Sequence, residues 1–226
     1  MINGKSFLAV IPARGGSKEI PKKNMVELGG VPLISHTFNQ VRLVESIDHI
    51  CVSTDDPNIL HYSLSQNIPV ITRPSHLAMD TSKTEEALIH SLLVLEEAGK
   101  YFDYVIVLEP TSPFRTISTI KRCMHIIIDS RSNSLLTVKS TTNNIGEVIN
   151  GLFVPIKKGQ PRRRQDRRPY YIETSTVYVC SVSYLKEHGT LVSDQWSTVI
   201  VEHPESVDIN THKDLDYARY LMGNTK

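Results

Sequence analysis

The chain has 226 residues, enough for one well-buried core with a small excursion from it. Its 25 basic and 24 acidic side chains leave a formal net charge of +1, so no overall field recruits nucleic acid or an anionic membrane, and any basic function is local. No run approaches about 18 consecutive apolar residues and no long apolar stretch follows basic residues at the amino terminus, which disfavours secretion and membrane spanning. The first element is Phe7–Pro12, an apolar run fit for a buried parallel strand. Pro32–Val44 has helical spacing through Leu33, Ile34, Phe38, Val41 and Val44. His49–Ser53 reads as a second strand, and Asp55-Asp56-Pro57 starts a helix of the Asp-cap, Pro-first kind that runs from Ile59 to Gln66. A strand at Pro69–Thr72, a helix at Thr84–Ala98 closed by Gly99, a strand at Tyr104–Leu108, a helix at Ser118–Asp129 and a strand at Leu135–Val138 follow. Strands alternating with helices at this spacing predict parallel βαβ units in a three-layer α/β sheet.

From about residue 139 the pattern changes. Glycines at 146, 151 and 159 punctuate short extended pieces, and residues 162–168 hold five arginines in seven positions. Left alone such a cluster repels itself; it reads either as a solvated loop or as a group awaiting an anionic counterpart. Thr176–Cys180 and Thr198–Val201 return as strands, and a helix over Thr211–Met222 closes the chain. The three cysteines are widely spaced without a Cys-x-x-Cys pair, so a zinc site or disulfide framework is disfavoured and a reducing, cytoplasmic setting is expected; Cys51 and Cys180 are expected in the core.

The most informative segment is residues 8–24, an apolar strand running into Arg14-Gly15-Gly16-Ser17-Lys18 and then Lys22-Lys23-Asn24. Glycines let main-chain N–H groups approach an anion while the cations neutralise it, at the carboxyl end of a first strand, where open α/β sheets bind ligands. Gly-Gly alone is equally an ordinary strand-to-helix turn, and the spacing is neither that of a Walker loop nor that of a dinucleotide fingerprint. The whole string resembles the signature loop of the CMP-sialic acid synthetase family, the cytidylyltransferases that activate sialic, legionaminic, pseudaminic and 3-deoxy-octulosonic acids. Further matches are Val52–Asp56, Arg73-Pro74, Leu77–Thr81, Pro110–Pro113 with Arg115, Arg164-Gln165-Asp166 and Ser206–Thr211, in the family's order along nearly the whole chain.

The resemblance implies a three-layer, Rossmann-like, mostly parallel sheet of nucleotidyltransferase type. It implies one domain over residues 1–226, with a small extended dimerisation arm inserted at about 139–172. It implies that CTP and a keto-sugar acid combine to give a CMP-sugar and pyrophosphate. Ala13, Arg14, Gly15, Gly16, Ser17, Lys18, Lys23 and Asn24 would hold the phosphates, with Lys23 nearest the reacting one; Arg73, Ser82 and Thr84 would contact the base and ribose. Arg164 and Gln165 would cross to a second subunit in a homodimer with shared sites. Asp208 and Asn210 are the candidates to hold Mg2+, as two hard oxygen donors two apart in an extended segment that sends both to one side. Their competing reading is a cap on the helix that starts at Thr211. Arg14, Lys23 and Asp208 are the expected catalytic group. Asp214 and Asp216 read as solvated, and none of the histidines reads as a base.

The resemblance puts the substrate contacts at Glu109, Arg164, Gln165, Thr174 and Ser175, and the sequence departs from the family pattern at three places. Asn210 stands where a second aspartate is usual, Glu109 replaces a glutamine before Pro-Thr-Ser-Pro, and Thr174-Ser175 replaces Asn-Gly. Glu109 would either face the sugar and favour donor-bearing substrates, or be tied up by Arg115 or an arginine of the arm. Two rival readings stay open. One is another nucleotidyltransferase of the same fold with a different sugar or nucleotide, for instance a sugar-phosphate pyrophosphorylase, although its Gly-x-Gly-Thr-Arg loop is absent. The other is a non-catalytic polyanion-binding module built on residues 162–168, against which the neutral net charge and the lack of interleaved aromatics count. Loss of activity through Asn210 and the altered sugar motif is a third possibility.

Overall fold

In the computed structural model, which describes residues 1–224, the chain runs through β1 (Phe7–Pro12), β2 (Glu27–Leu28), β3 (Val31–Pro32), α1 (Leu33–Val41), β4 (His49–Thr54), α2 (Pro57–Ser65), β5 (Val70–Thr72), α3 (Thr84–Glu97) and β6 (Tyr104–Val107). The second half comprises α4 (Ile117–Ser130), β7 (Ser134–Thr141), β8 (Gly146–Ile149), β9 (Leu152–Pro155), β10 (Tyr170–Ser181), α5 (Val182–His188), β11 (Ser197–Ile200) and α6 (His212–Asn224). Seven strands form one sheet in the order β11-β7-β10-β6-β1-β4-β5. Every pairing in it is parallel except those of β10, which is antiparallel to both β6 and β7.

The layers follow from the two-residue period of β1. Phe7, Ala9 and Ile11 pack with Phe38 and Val41 of α1, Ile59 of α2, and Met124 and Ile127 of α4. Leu8 and Val10 face the other way, onto Leu88 and Leu92 of α3 and Leu185 of α5. A strand buried on both faces reads as a continuous apolar run, which is why it was visible in the sequence. A third, smaller core joins Leu28 and Leu33 to Ile209, Leu215 and Ala218. It seats α6 on the β2–β3 hairpin and so brings the segment before α6 to the loop after β1.

Several expected elements change in extent. The first helix ends at Val41 rather than Val44, and α5 was not expected, although Gly189 at φ 66° is a readable stop for it. The last strand before α5 is longer than Thr176–Cys180: β10 starts at Tyr170 and is kinked between Thr174 and Tyr178. The region at about 139–172 is accordingly a prolongation of β7 and β10 beyond the core, capped by the β8–β9 hairpin. The α2 cap is as expected, with Asp56 accepting from Asn58 N at 2.6 Å and Ile59 N at 3.3 Å. Cys51 of β4, Cys123 of α4 and Cys180 of β10 are buried free thiols; burial pushes the first two up to about 12 and the third up to about 11. Among the described residues, no helix is long and apolar enough to cross a membrane.

Candidate active site

A cavity of 240 Å³ opens at the carboxyl ends of β1 and β6. Arg14, Gly16, Ser17, Lys23 and Asn24 form one wall; Arg73, Met79, Asp80, Ser82 and Thr84 form the opposite one; Glu109, Pro110 and Thr111 close the end. A side crevice continues past Lys18, Asp80 and Asn210. Residues from four separated stretches of sequence thus meet around one space.

The two glycines do different work. The Gly15 N–H is turned away from the cavity and donates to Asp55 Oδ1 at 2.9 Å, and a Cβ there would collide with Asp56. Gly15, expected among the residues that hold the phosphates, thus meets a packing requirement, with its N–H engaged by Asp55. At Gly16 a Cβ would meet nothing within 4 Å, so open space for a ligand lies at this residue. Ala13 is buried and extends the β1–β4 ladder through its N–H to Ser53 O; Asn24 braces the loop by donating Nδ2 to Arg14 O at 3.0 Å. Lys22 takes a left-handed conformation at φ 54°, which aims the following residue inward.

That residue, Lys23, donates Nζ to Ile209 O at 3.0 Å and to Asn210 Oδ1 at 3.1 Å. Burial lowers its ammonium below the ordinary value, while Asp208 and Glu109 counteract part of the shift. Asp208 Oδ2 accepts from Ser175 Oγ at 2.9 Å and from Asn210 Nδ2 at 2.6 Å; its Oδ1 is buried and has no hydrogen-bond partner among the described residues. Neither Asp208 nor Asn210 caps α6. Thr211 does so, its Oγ1 accepting from Asp214 N at 3.3 Å, and Asp214 completes the cap by accepting from Thr211 N at 2.7 Å and Asn210 N at 3.1 Å; Asp216 is exposed, as expected, with a surface pair to Arg219 at 3.2 Å, whereas Asp214 is not merely solvated.

The residues present fit a magnesium ion that shares its shell with phosphates. Asp208 Oδ1 is a buried hard oxygen lacking a partner among the described residues, beside a loop of phosphate-type cations. Among the described residues no group of three or more His, Cys, Asp or Glu could enclose a cation alone, and magnesium, which keeps waters and phosphate oxygens, does not need one.

Arg73 is buried, with Nε on Ser53 Oγ at 3.2 Å, Nη2 on Ser53 O at 2.9 Å and Nη1 on Leu77 O at 3.4 Å. It ties the end of β4 to the loop that forms the second wall. Ser82 donates to His76 O at 2.8 Å within that loop, and Thr84 opens α3. Burial, reinforced by the charge of Asp208, pushes the Glu109 carboxyl up to about 7. Arg115 does not tie it up: Arg115 Nη2 donates to the Glu109 main-chain oxygen at 2.8 Å, Nη1 to Gln40 Oε1 at 3.1 Å, and Nε to Thr176 O.

Four expected substrate residues lie outside the cavity lining. Thr174 is packed inside the sheet with Oγ1 donating to Thr137 Oγ1 at 2.8 Å, and Ser175 serves Asp208. Arg164 and Gln165 sit on an exposed turn of the arm, outside this chain's own cavity, with Arg164 Nε on Thr142 Oγ1 at 2.9 Å. Arg167 is spent within the arm on the carbonyls of Pro161, Arg162 and Thr142. The sequence reading missed Asp80, which pairs with Arg14 at 3.0 Å and Lys18 at 3.1 Å across the cavity mouth and is itself held below the usual carboxylate range by Lys18 first and by Arg14. Its signal was its sign: an acid in a stretch otherwise assigned to the nucleotide.

Comparison with known proteins agrees with this geometry. The cytidylyltransferase family model matches residues 8–192. The chain is 30% identical to the CMP-N,N'-diacetyllegionaminic acid synthase of Legionella pneumophila, with 96% of both chains covered. It is 25% identical to a pseudaminic acid cytidylyltransferase of Campylobacter jejuni, with 95% of both covered. Among solved structures, a CMP:2-keto-3-deoxy-manno-octonic acid synthetase complexed with CTP superposes with a TM-score of 0.73 over 98% of this chain and all of that one, at 16% identity. The 4-diphosphocytidyl-2C-methyl-D-erythritol synthase of Anaerococcus prevotii gives 0.72 over 99% and 98%, also at 16%; both likenesses speak for the fold. The matched loop, the sheet order and the cavity agree, and the chain belongs to the cytidylyltransferase family of nucleotidyltransferases.

Proposed function

We propose that the chain joins the cytidylyl group of CTP to the anomeric hydroxyl of a nonulosonic or related 3-deoxy-keto-sugar acid, releasing pyrophosphate. The observation that carries this reading is the position of Lys23, a partly buried cation between the phosphate-loop wall and Asp208. Arg14, Lys18 and Lys23 neutralise the triphosphate, the space at Gly16 admits the leaving pyrophosphate, and Arg73 with Ser82 and Thr84 shapes the end for base and ribose. Asp208, with Asn210 beside it, would hold Mg2+, which supplies charge neutralisation between phosphates. Glu109, with its raised affinity for a proton, favours a sugar acid that offers hydroxyl or amino donors. The names of the relatives, which act on legionaminic and pseudaminic acids, support this substrate class.

A homodimer completes the reading. Val148, Leu152 and Ile156 of the arm are 74%, 70% and 68% exposed, and a separate groove over β7, β10 and β11 is edged by the exposed Tyr171, Trp196 and Ile200. Apolar surface of this kind is covered when a second copy brings its arm across, which would carry Arg164 and Gln165 to the partner's cavity. The buried free thiols suit the cytoplasm, and the product is a donor for building a surface glycan such as lipopolysaccharide or capsule. The test is pyrophosphate release from each of the four ribonucleoside triphosphates with Mg2+ and a panel of keto-sugar acids. Release specific to CTP with a keto-sugar acid is expected; release with a sugar 1-phosphate instead, or none with any acid, would overturn the proposal.

A further inference from the structure

Asn210 stands between a cation and a carboxylate. Its Oδ1 accepts from Lys23 Nζ at 3.1 Å and its Nδ2 donates to Asp208 Oδ2 at 2.6 Å. The chemistry of the two neighbours fixes which way the amide points, because an ammonium cannot accept and a carboxylate cannot donate. Ser175 Oγ donates to the same Asp208 oxygen at 2.9 Å, so Oδ2 is engaged from two sides while Oδ1 stays buried and without a partner among the described residues. The main chain reinforces the arrangement. Lys23 also reaches Ile209 O, and the Asn210 N–H is bound by Asp214 at the start of α6.

An aspartate at 210 could accept from Lys23 but would set a second negative charge against Asp208 and donate nothing to it. Alanine would do neither. Only a side chain with one acceptor and one donor at this reach satisfies both neighbours.

We propose that Asn210 is a positioning residue that yokes Lys23 to Asp208, holding the phosphate-facing ammonium and the carboxylate in one fixed relation and leaving Asp208 Oδ1 as the single anionic oxygen for a divalent cation. The cation rests on the function proposed above; the yoke is a property of the chain without it. Two of its consequences differ from those of a surface amide. The segment 208–210 is stable before any cation arrives, and the protein offers one carboxylate rather than two.

The experiment compares wild type, Asn210→Asp and Asn210→Ala after EDTA treatment. Melting temperature is read with and without Mn2+, Mn2+ binding by electron paramagnetic resonance, and kcat and KM with CTP and the best keto-sugar acid. Metal-free Asn210→Asp should melt below wild type, recover more than wild type on adding Mn2+, and bind Mn2+ roughly tenfold more tightly, the scale on which groups around a metal tune its affinity. Asn210→Ala should lose about ten- to a hundredfold in kcat with the sugar-acid KM within about twofold, because Lys23 is no longer aimed. Equal metal-free melting and equal Mn2+ affinity of Asn210→Asp and wild type would overturn the yoke, as would wild-type kcat in Asn210→Ala. If wild type turns over no sugar acid at all, the proposed function fails, and the metal-free melting comparison alone decides the yoke.

Discussion

Gly15 and Asp56 meet so closely that a Cβ on the glycine would lie 2.7 Å from Asp56 Oδ2 and 2.8 Å from its Cβ. Asp56 cannot retreat without releasing the amino terminus of α2, whose N–H groups it binds. Gly15→Ala should therefore destabilise the fold by about 1–3 kcal/mol, the cost of overpacking. Gly16→Ala, facing open space, should melt like wild type and weaken CTP binding instead. Thermal melts and nucleotide titrations of the pair check the division; a Gly16→Ala protein that loses stability and keeps its affinity would reverse it.

Lys23 should matter to turnover more than to folding. Its ammonium is already partly desolvated and aimed, the condition under which one preorganised contact is worth most. Lys23→Ala is expected to lower kcat by roughly 100-fold or more, measured by pyrophosphate release. Near-normal turnover would remove Lys23 from the chemistry.

Asp80 occupies Arg14 and Lys18 in the ligand-free chain. A triphosphate must take both cations from it, so the carboxylate competes with substrate. Asp80→Asn should lower the KM for CTP by roughly two- to tenfold, with an effect that shrinks as salt rises, the scale of two exposed ion pairs. A raised KM would show that Asp80 works with the bound nucleotide rather than against it.

Glu109 should leave a mark on stability against pH. Its folded pKa of about 7 lies above the ordinary value of 4.5, so the folded chain keeps a proton that the unfolded chain has already released. The stability present below about pH 4.5 falls as pH rises to about 7 and levels off above it, by on the order of 2 kcal/mol once solvent at the cavity mouth is allowed for. Glu109→Gln should flatten this part of the profile when melts from pH 5 to 8 are compared. Superimposable profiles would mean that the carboxyl titrates normally.

The shared site proposed for the dimer predicts complementation. Mixed dimers of Arg164→Ala and Lys23→Ala subunits contain one site with both residues intact, so part of the activity should return on mixing. A single monomeric species in sedimentation, or demonstrated mixed dimers without activity, would refute the arrangement.

The parallel part of the fold was legible because Phe7–Ile11 and Val105–Leu108 are buried on both faces and read as apolar runs between helical periods. The first half of β10 was not, because Tyr170–Glu173 is largely exposed and its strand character comes from pairing with β7 some 30 positions away, as in Ile172 with Lys139. In the site, the loop cations could be read from their density around Gly15 and Gly16. Asp80 could not, since its partners lie more than sixty residues away and only the fold brings them within 3.1 Å. Thr174 and Ser175 were read as a pair, but neighbours on a strand point to opposite sides. When Ser175 reaches Asp208, Thr174 is bound to face Thr137.

The three buried thiols give the molecule an internal clock. Cys51, Cys123 and Cys180 sit on β4, α4 and β10, and each is held far from the thiolate form on which alkylating reagents act. Reaction with such a reagent must wait until the surrounding layer opens, so the rate of modification at each position counts openings of that part of the sheet rather than encounters at the surface. Because none of the three lines the cavity, a modest dose of reagent spares the site, and the order in which the cysteines are modified ranks how firmly the two faces of the sheet hold together.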